Sequence, residues 1–310
     1  MERPRLYLMR ERTFSILPRS IGLAFLTPAV LFISIFLLFP LVWVIVISFT
    51  NTALTGPGAA NPSFVGIANY VKLFIPTRWL RPGEFGNALR NTLLFVLGSA
   101  ILGQVPLGLS IALAFHRRKG LLRELVFSAA TIAWILPGVA VAFAWIAFLD
   151  RDFGTLNTIL GFLGIPRIDW YFSYPLYAII FFNIWRGTAF SMLLFSAALG
   201  NIPPSFWETA DVLGASAWQR FRTIIFPLIR PSVFTALILV TLWTFNVFTP
   251  YLITGGGPLF RSETIPMYTY RIAFKFFEFG RGAAIAVLMM TINFVLATIY
   301  LFMQKRRRII

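Results

Sequence analysis

Charge is scarce and cysteine is absent from this chain of 310 residues. Charged residues make up 12% of it, about half of the roughly 25% usual in soluble domains. With no cysteine there is no disulfide, thiolate metal site or cysteine nucleophile. A lone histidine, His116, leaves no material for a histidine zinc site or a serine–histidine pair elsewhere. No GxxxxGK[ST] phosphate loop occurs, and neither His-Glu-x-x-His nor Gly-x-Ser-x-Gly. The carboxylates Asp150 and Asp152 fall at the end of an apolar run, and no run carries Asp or Glu near its middle. An enzyme and an ion-coupled carrier are both disfavoured on these grounds. Internal repeats and low-complexity tracts are absent too.

What remains is apolar. Hydrophobic residues reach 58% and aromatics 17%, and mean hydropathy is +0.79. The natural solvent of such a chain is a bilayer. The pattern predicts an all-α membrane protein with six transmembrane helices, at about 21–49, 89–115, 125–149, 175–199, 232–253 and 282–303. The first run is too long for a signal-peptide core and reads as an uncleaved span, with Pro28 near its start and a kink at Pro40. A second kink is expected at Pro137-Gly138. Short helices are expected in FVGIANYVKLF (64–74) and near TLNTILGFLG (155–164), and a turn at GGGP (255–258).

Net charge is +16, but the basic residues are split among short connections, unlike a nucleic-acid stripe. The tail 1–20 (five), 116–124 (four), 200–231 (three) and the basic tail 304–310 (four) hold sixteen Lys and Arg, against nine in the alternate segments. By the positive-inside rule both termini and the segment 201–231 are cytoplasmic. KRRR (305–308) then serves to fix orientation.

That segment, NIPPSFWETADVLGASAWQRFRTIIFPLIRP, is a polar interruption between two apolar runs. Ser205 with Glu208 and Ser216 with Gln219 read as two capping boxes, with Gly214 between them as a helix terminator. Trp207, Ala210 and Leu213, then Ala217, Phe221 and Ile224, give each helix one apolar face. A loop so structured suits docking to a partner.

ETADVLGAS…IIFP resembles the signature loop of permease subunits of binding-protein-dependent ABC importers. Glu208, Ala210, Gly214, Ile224 and Pro227 fall on its pattern, while Thr209 and Phe226 replace an alanine and a leucine. Leu213 stands where the carbohydrate-uptake branch (maltose and glycerol-phosphate type) usually has aspartate. FVGIANYVKLF, GTLNTIL (154–160), IWRGTAF (184–190), LITGGGP (252–258) and YRIAF (270–274) extend the likeness to that branch over nearly the whole chain.

The resemblance implies an importer transmembrane domain over 21–303, in a multi-pass protein of a bacterial or archaeal cell inner membrane. It would pair with a second, homologous permease. Two ATPase subunits would bind ATP and Mg, this chain holding no cofactor, and an external solute-binding protein would deliver a sugar. The ATPase-coupling residues carried over are Trp207, Glu208, Ala210, Gly214, Ala215, Trp218 and Phe221. The substrate path carried over from the maltose type is Asn183, Arg186, Gly187 and Phe190 in the fourth span, and Trp243 and Asn246 in the fifth. Polar groups inside spans tend to line cavities, and aromatic faces with amides suit sugars. The alternative class is an ATP-independent secondary transporter or channel.

Overall fold

The computed structural model describes residues 19–306 apart from positions 76 and 78, so the expectations for 1–18 and 307–310 lie outside the described residues. Two compact units divide between Val46 and Ile47. The first holds most of α1 (Ile21–Ser48), a long apolar helix. In the second lie α2 (Phe85–Phe115), α3 (Leu121–Ile135), α4 (Gly138–Phe148), α5 (Pro175–Gly200) and α6 (Pro204–Val212). It ends with α7, from Ala217 to Asn246, and α8 (Phe279–Arg306). Among the described residues there is no strand, only an isolated bridge between Thr50 and Phe64. Short helices at Ala68–Leu73 and Thr155–Phe162 lie in two of the connections.

Prolines shape the long helices through wide π turns. Ser34–Leu38 precedes Pro40, Val96–Gln104 precedes Pro106, and Phe221–Ile225 precedes Pro227. A proline in a helix offers no N–H and its ring crowds the carbonyl four residues back. A turn bonded i to i+5 moves that carbonyl aside and keeps the helix continuous. At Pro40, where a kink is expected, the helix carries such a turn and runs continuously from Ile21 to Ser48.

The third expected span is different. Leu136 and Pro137 are extended, with ψ of 141° and 128°, because the residue before a proline avoids the helical region. α3 and α4 meet at 109°; among the described residues five helices are long and apolar enough to cross a membrane, or six spans if the bent pair counts as one. Where a single span over 125–149 kinked at Pro137-Gly138 is expected, two helices meet at that angle, as a broken span or a re-entrant loop.

α2 and α5 pack with almost no space between them. A Cβ added at Gly98, Gly103 or Gly108 would lie 3.1 Å from Ile180, 2.3 Å from Ile184 and 2.5 Å from Ser191. Small residues at such a seam let helix backbones approach closely. Around it Phe95, Phe182, Phe195, Phe245 and Met192 are fully buried.

The connection after α7 is tied to the start of α2. Asn87 and Asn91 donate to the Phe260 carbonyl at 3.0 and 3.1 Å, and Thr92 accepts from the Ile265 amide. Glu263, almost wholly buried, pairs with Arg271 at 2.7 and 3.0 Å, and Arg271 also donates to the Gly83 carbonyl. Burial raises the Glu263 carboxyl, and the Arg271 guanidinium opposes that shift.

Candidate functional site

Between the helices a small, partly open cavity of about 150 Å³ is lined by Gln104 of α2, Trp134 of α3, Asn183, Arg186 and Gly187 of α5, and Trp243, Thr244 and Val247 at the end of α7. Four of the six path residues named from sequence therefore meet there. Phe190 stands behind Trp243, edge-on with ring centroids 4.6 Å apart, and 5.8 Å from Trp134. Asn246 is not in the lining. It donates to the Leu242 carbonyl and exchanges amide hydrogen bonds with Asn293 of α8.

Asn183 and Thr244 are positioned by hydrogen-bond partners. The Asn183 amide donates to the Ser99 hydroxyl at 2.9 Å and to Thr244 at 3.3 Å, joining α2, α5 and α7. The Arg186 guanidinium lies flat against Gly138, where a Cβ would sit 3.1 Å from it, and its Nε has no partner among the described residues. Gly187 is flush with the Gln104 amide, which a Cβ would approach to 2.0 Å. Chemically the lining offers amides, one hydroxyl, a guanidinium and two indole faces, and no carboxylate. Such a set can hydrogen-bond and stack on a polyol.

Sequence reasoning missed Gln104, Trp134, Ser99 and Thr244. Gln104 carried a signal, being an amide in the middle of an apolar run.

Two other cavities are less suited. One of about 460 Å³ is lined only by apolar groups, among them Leu136, Val141, Trp145, Phe148 and Trp185. Another, of about 420 Å³, lies at the starts of α2 and α5, with Arg90, Tyr174, Tyr177 and Arg261 among its lining. No group of three His, Cys, Asp or Glu that could hold a metal occurs among the described residues.

At the far end of α5 lies the polar element 201–231. α6 ends at Val212 with Leu213 as its cap, and Gly214 takes a φ of +61° with nothing near its missing Cβ. Conformation, not space, requires glycine there. The Ala215 amide donates to the Ala210 carbonyl and the Gly214 amide to Asp211, a full Schellman closure. Ser216 and Gln219 then form the expected capping box. The other expected box, Ser205 with Glu208, does not form. Pro203 caps α6 and Pro204 starts it, so Ser205 is already inside the helix. Nor is the second helix separate from the next span: α7 runs unbroken from Ala217, through the wide turn at Phe221–Ile225, to Asn246.

The aromatic residues of this element divide. Trp207 is half-buried, with the His116 ring 5.0 Å away and the Arg117 guanidinium over its face at 5.6 Å. Phe221 packs on the main core and stacks with Trp218, which is 67% exposed. Val212, Leu213 and Glu208 are exposed too, while Ala210 is buried and Ala215 half-buried. Asp211 binds Arg117 at 3.2 Å and also Arg220, tying α6 to the connection after α2. The Arg117 hydrogen bond, with help from Arg220, holds its carboxyl below the usual range. Burial and the neighbouring Arg117 lower His116.

A bundle of helices long and apolar enough for a membrane, with a pocket of polar side chains between them and a helix–glycine–helix element at one end, has the architecture of a transport subunit. Residues 104–309 match the model of the binding-protein-dependent transport system inner membrane component. The chain belongs to that family, and is accordingly a multi-pass inner-membrane protein. It is 32% identical to the sulfoquinovosyl glycerol transport system permease of Agrobacterium fabrum, covering 91% of this chain and 90% of that one. It is 30% identical to the trehalose/maltose transport system permease of Thermococcus litoralis, covering 93% and 95%. Both relatives are permease components rather than enzymes. Among solved structures, a bacterial ABC transporter that imports the acidic polysaccharide alginate shares the fold, with TM-score 0.77 and 23% identity over 93% of this chain and 96% of that one.

Proposed function

We propose that the chain is the permease subunit of an ATP-driven importer, passing a sugar or related polyol from an external binding protein to the cytoplasm by alternating access. The observation that carries this reading is the continuous helix α7. It starts three residues after Gly214 and ends with Trp243 and Thr244 at the cavity. Displacing the turn would move the cavity wall, with no flexible linker to absorb the motion.

The force comes from elsewhere, since the sequence holds no nucleotide motif. Two ATPase subunits carry ATP and Mg, and a second homologous permease completes the path. Ala210, Gly214 and Ala215 set the shape of the docking turn, and Glu208 stands exposed on it for the partner. Trp218, with Val212 and Leu213, supplies exposed apolar contact of the kind that dominates interfaces. Trp207 and Phe221 hold the element to its own bundle, so docking force reaches the spans. The basic residues place this turn on the cytoplasmic side, where ATP is.

The relatives' names support a sugar-class solute, sulfoquinovosyl glycerol in one and trehalose or maltose in the other. The cavity's amides and indoles suit hydroxyl-rich rings. A thermal-shift screen of sugars on the cognate binding protein, followed by uptake into proteoliposomes holding all subunits, tests the reading. Uptake is expected only with ATP and binding protein. Uptake driven by an ion gradient with the ATPase subunits absent would establish the secondary-transporter alternative instead.

A further inference from the structure

Gln104 is the one cavity residue supplied by α2, and its amide is unusually placed. Only 4% of the residue is exposed. Its Nε2 has no hydrogen-bond partner among the described residues, whereas Asn183, in the same lining, donates to both Ser99 and Thr244. A buried N–H without an acceptor costs free energy, more so where water is excluded. The surroundings nonetheless accommodate it. Gly187 lacks the Cβ that would strike the amide at 2.0 Å, so α5 is shaped to receive it. Trp134 and Trp243 present aromatic faces in the same lining.

The pocket, about 150 Å³ and partly open, has room beside Gln104 for one ring of a sugar. A ring stacked on the indoles would bring its hydroxyls to the amides on the wall. The terminal dihedral of glutamine has broad, roughly two-fold preferences, so exchanging the amide's oxygen and nitrogen can turn its donor toward such a hydroxyl.

We infer that Gln104 is a specificity-determining residue of the transport path, donating a hydrogen bond from its amide to one ring hydroxyl of the sugar as it crosses. This makes α2 part of the substrate site, beside the two helices named from sequence. The inference rests on the reading of this cavity as the sugar path. An amide waiting for a hydroxyl explains why a polar group without a partner stands in an apolar run.

The test uses the complete transporter with its binding protein in proteoliposomes. The probes are trehalose, maltose and sulfoquinovosyl glycerol, with the monodeoxy derivatives of whichever is taken up. Gln104→Met keeps the length and removes the donor; Gln104→Leu serves as a second apolar replacement, and Trp243→Ala reports on the cavity itself. Both Gln104 variants are expected to raise the half-saturation concentration about tenfold, equal to ~1.4 kcal/mol. The wild type should discriminate against one particular monodeoxy sugar, and the Gln104 variants should not. Thermal midpoints of the variant complexes should equal or exceed that of the wild type.

Unchanged half-saturation in both Gln104 variants, with uptake lost in Trp243→Ala, overturns the inference and leaves the cavity reading standing. No effect from any of the three variants overturns the cavity reading as well. A lowered thermal midpoint with unaltered deoxy-sugar discrimination makes Gln104 structural and overturns the inference. If the wild type takes up none of the probes, the sugar reading falls and the inference with it.

Discussion

Gly108 shows at the scale of one residue how little room separates α2 from α5. A methyl group there would sit 2.5 Å from the Ser191 side chain and 2.7 Å from the Met192 amide, so one helix would have to shift. Gly108→Ala should destabilise the purified protein by about 1–3 kcal/mol, read as a lower thermal midpoint. Gly200→Ala, with nothing within 4 Å of the new methyl, should change it by about 0.5 kcal/mol or less. His116 makes a second test. Burial beside Trp207, and Arg117 next to it, lower its pKa from the ordinary 6.5. The folded chain therefore binds a proton less readily than the unfolded chain. Stability should fall as pH drops below about 6.5, until the folded-state pKa is passed. His116→Gln should flatten that part of the profile, as followed by thermal melts between pH 5 and 8. Neither point was readable from sequence. Gly108 looked like any small residue in a span, and the His116–Trp207 contact joins positions 91 apart.

Among the elements, the connection from Gly255 to Thr264 illustrates what a buried ion pair does. Glu263 is 2% exposed, and its partner Arg271 also holds the Gly83 carbonyl beside the start of α2. Removing the carboxylate would strand a partly buried guanidinium. Glu263→Ala should therefore cost about 3–5 kcal/mol, seen as loss of folded protein or a large drop in thermal midpoint. In sequence this stretch read only as a glycine-rich turn. Its partners Asn87 and Asn91 lie more than 160 residues away, which no local pattern reveals. The element around Gly214 was far more legible, because its Schellman closure and the Ser216 box are local. The Ser205 box failed for an equally local reason: two prolines start the helix before it. Asp211 escaped notice because its partner Arg117 comes from another connection.

For the whole molecule, composition alone carried the all-α, multi-span class, since a chain this apolar has few other ways to satisfy its backbone in a bilayer. The number and course of the spans were less accessible. Pro137 marked a break, but the 109° angle between α3 and α4 depends on what packs around them. The cavity was legible in part: Asn183, Arg186, Gly187 and Trp243 line it, Asn246 faces α8 instead, and Gln104 entered from a helix whose wide turns defeat a 3.6-residue pattern.

The central claim is that the turn at Gly214 passes force from ATPase subunits into α7 and so to the cavity. Gly214→Asp tests it most directly, since an added Cβ meets nothing within 4 Å and aspartate tolerates the left-handed backbone better than most residues, so the variant puts a charge on the docking turn. The decisive measurement is ATPase activity of the assembled complex in proteoliposomes, with and without binding protein and sugar. The account predicts that the variant complex assembles but that its ATPase no longer rises on their addition. A full rise in the variant would contradict it.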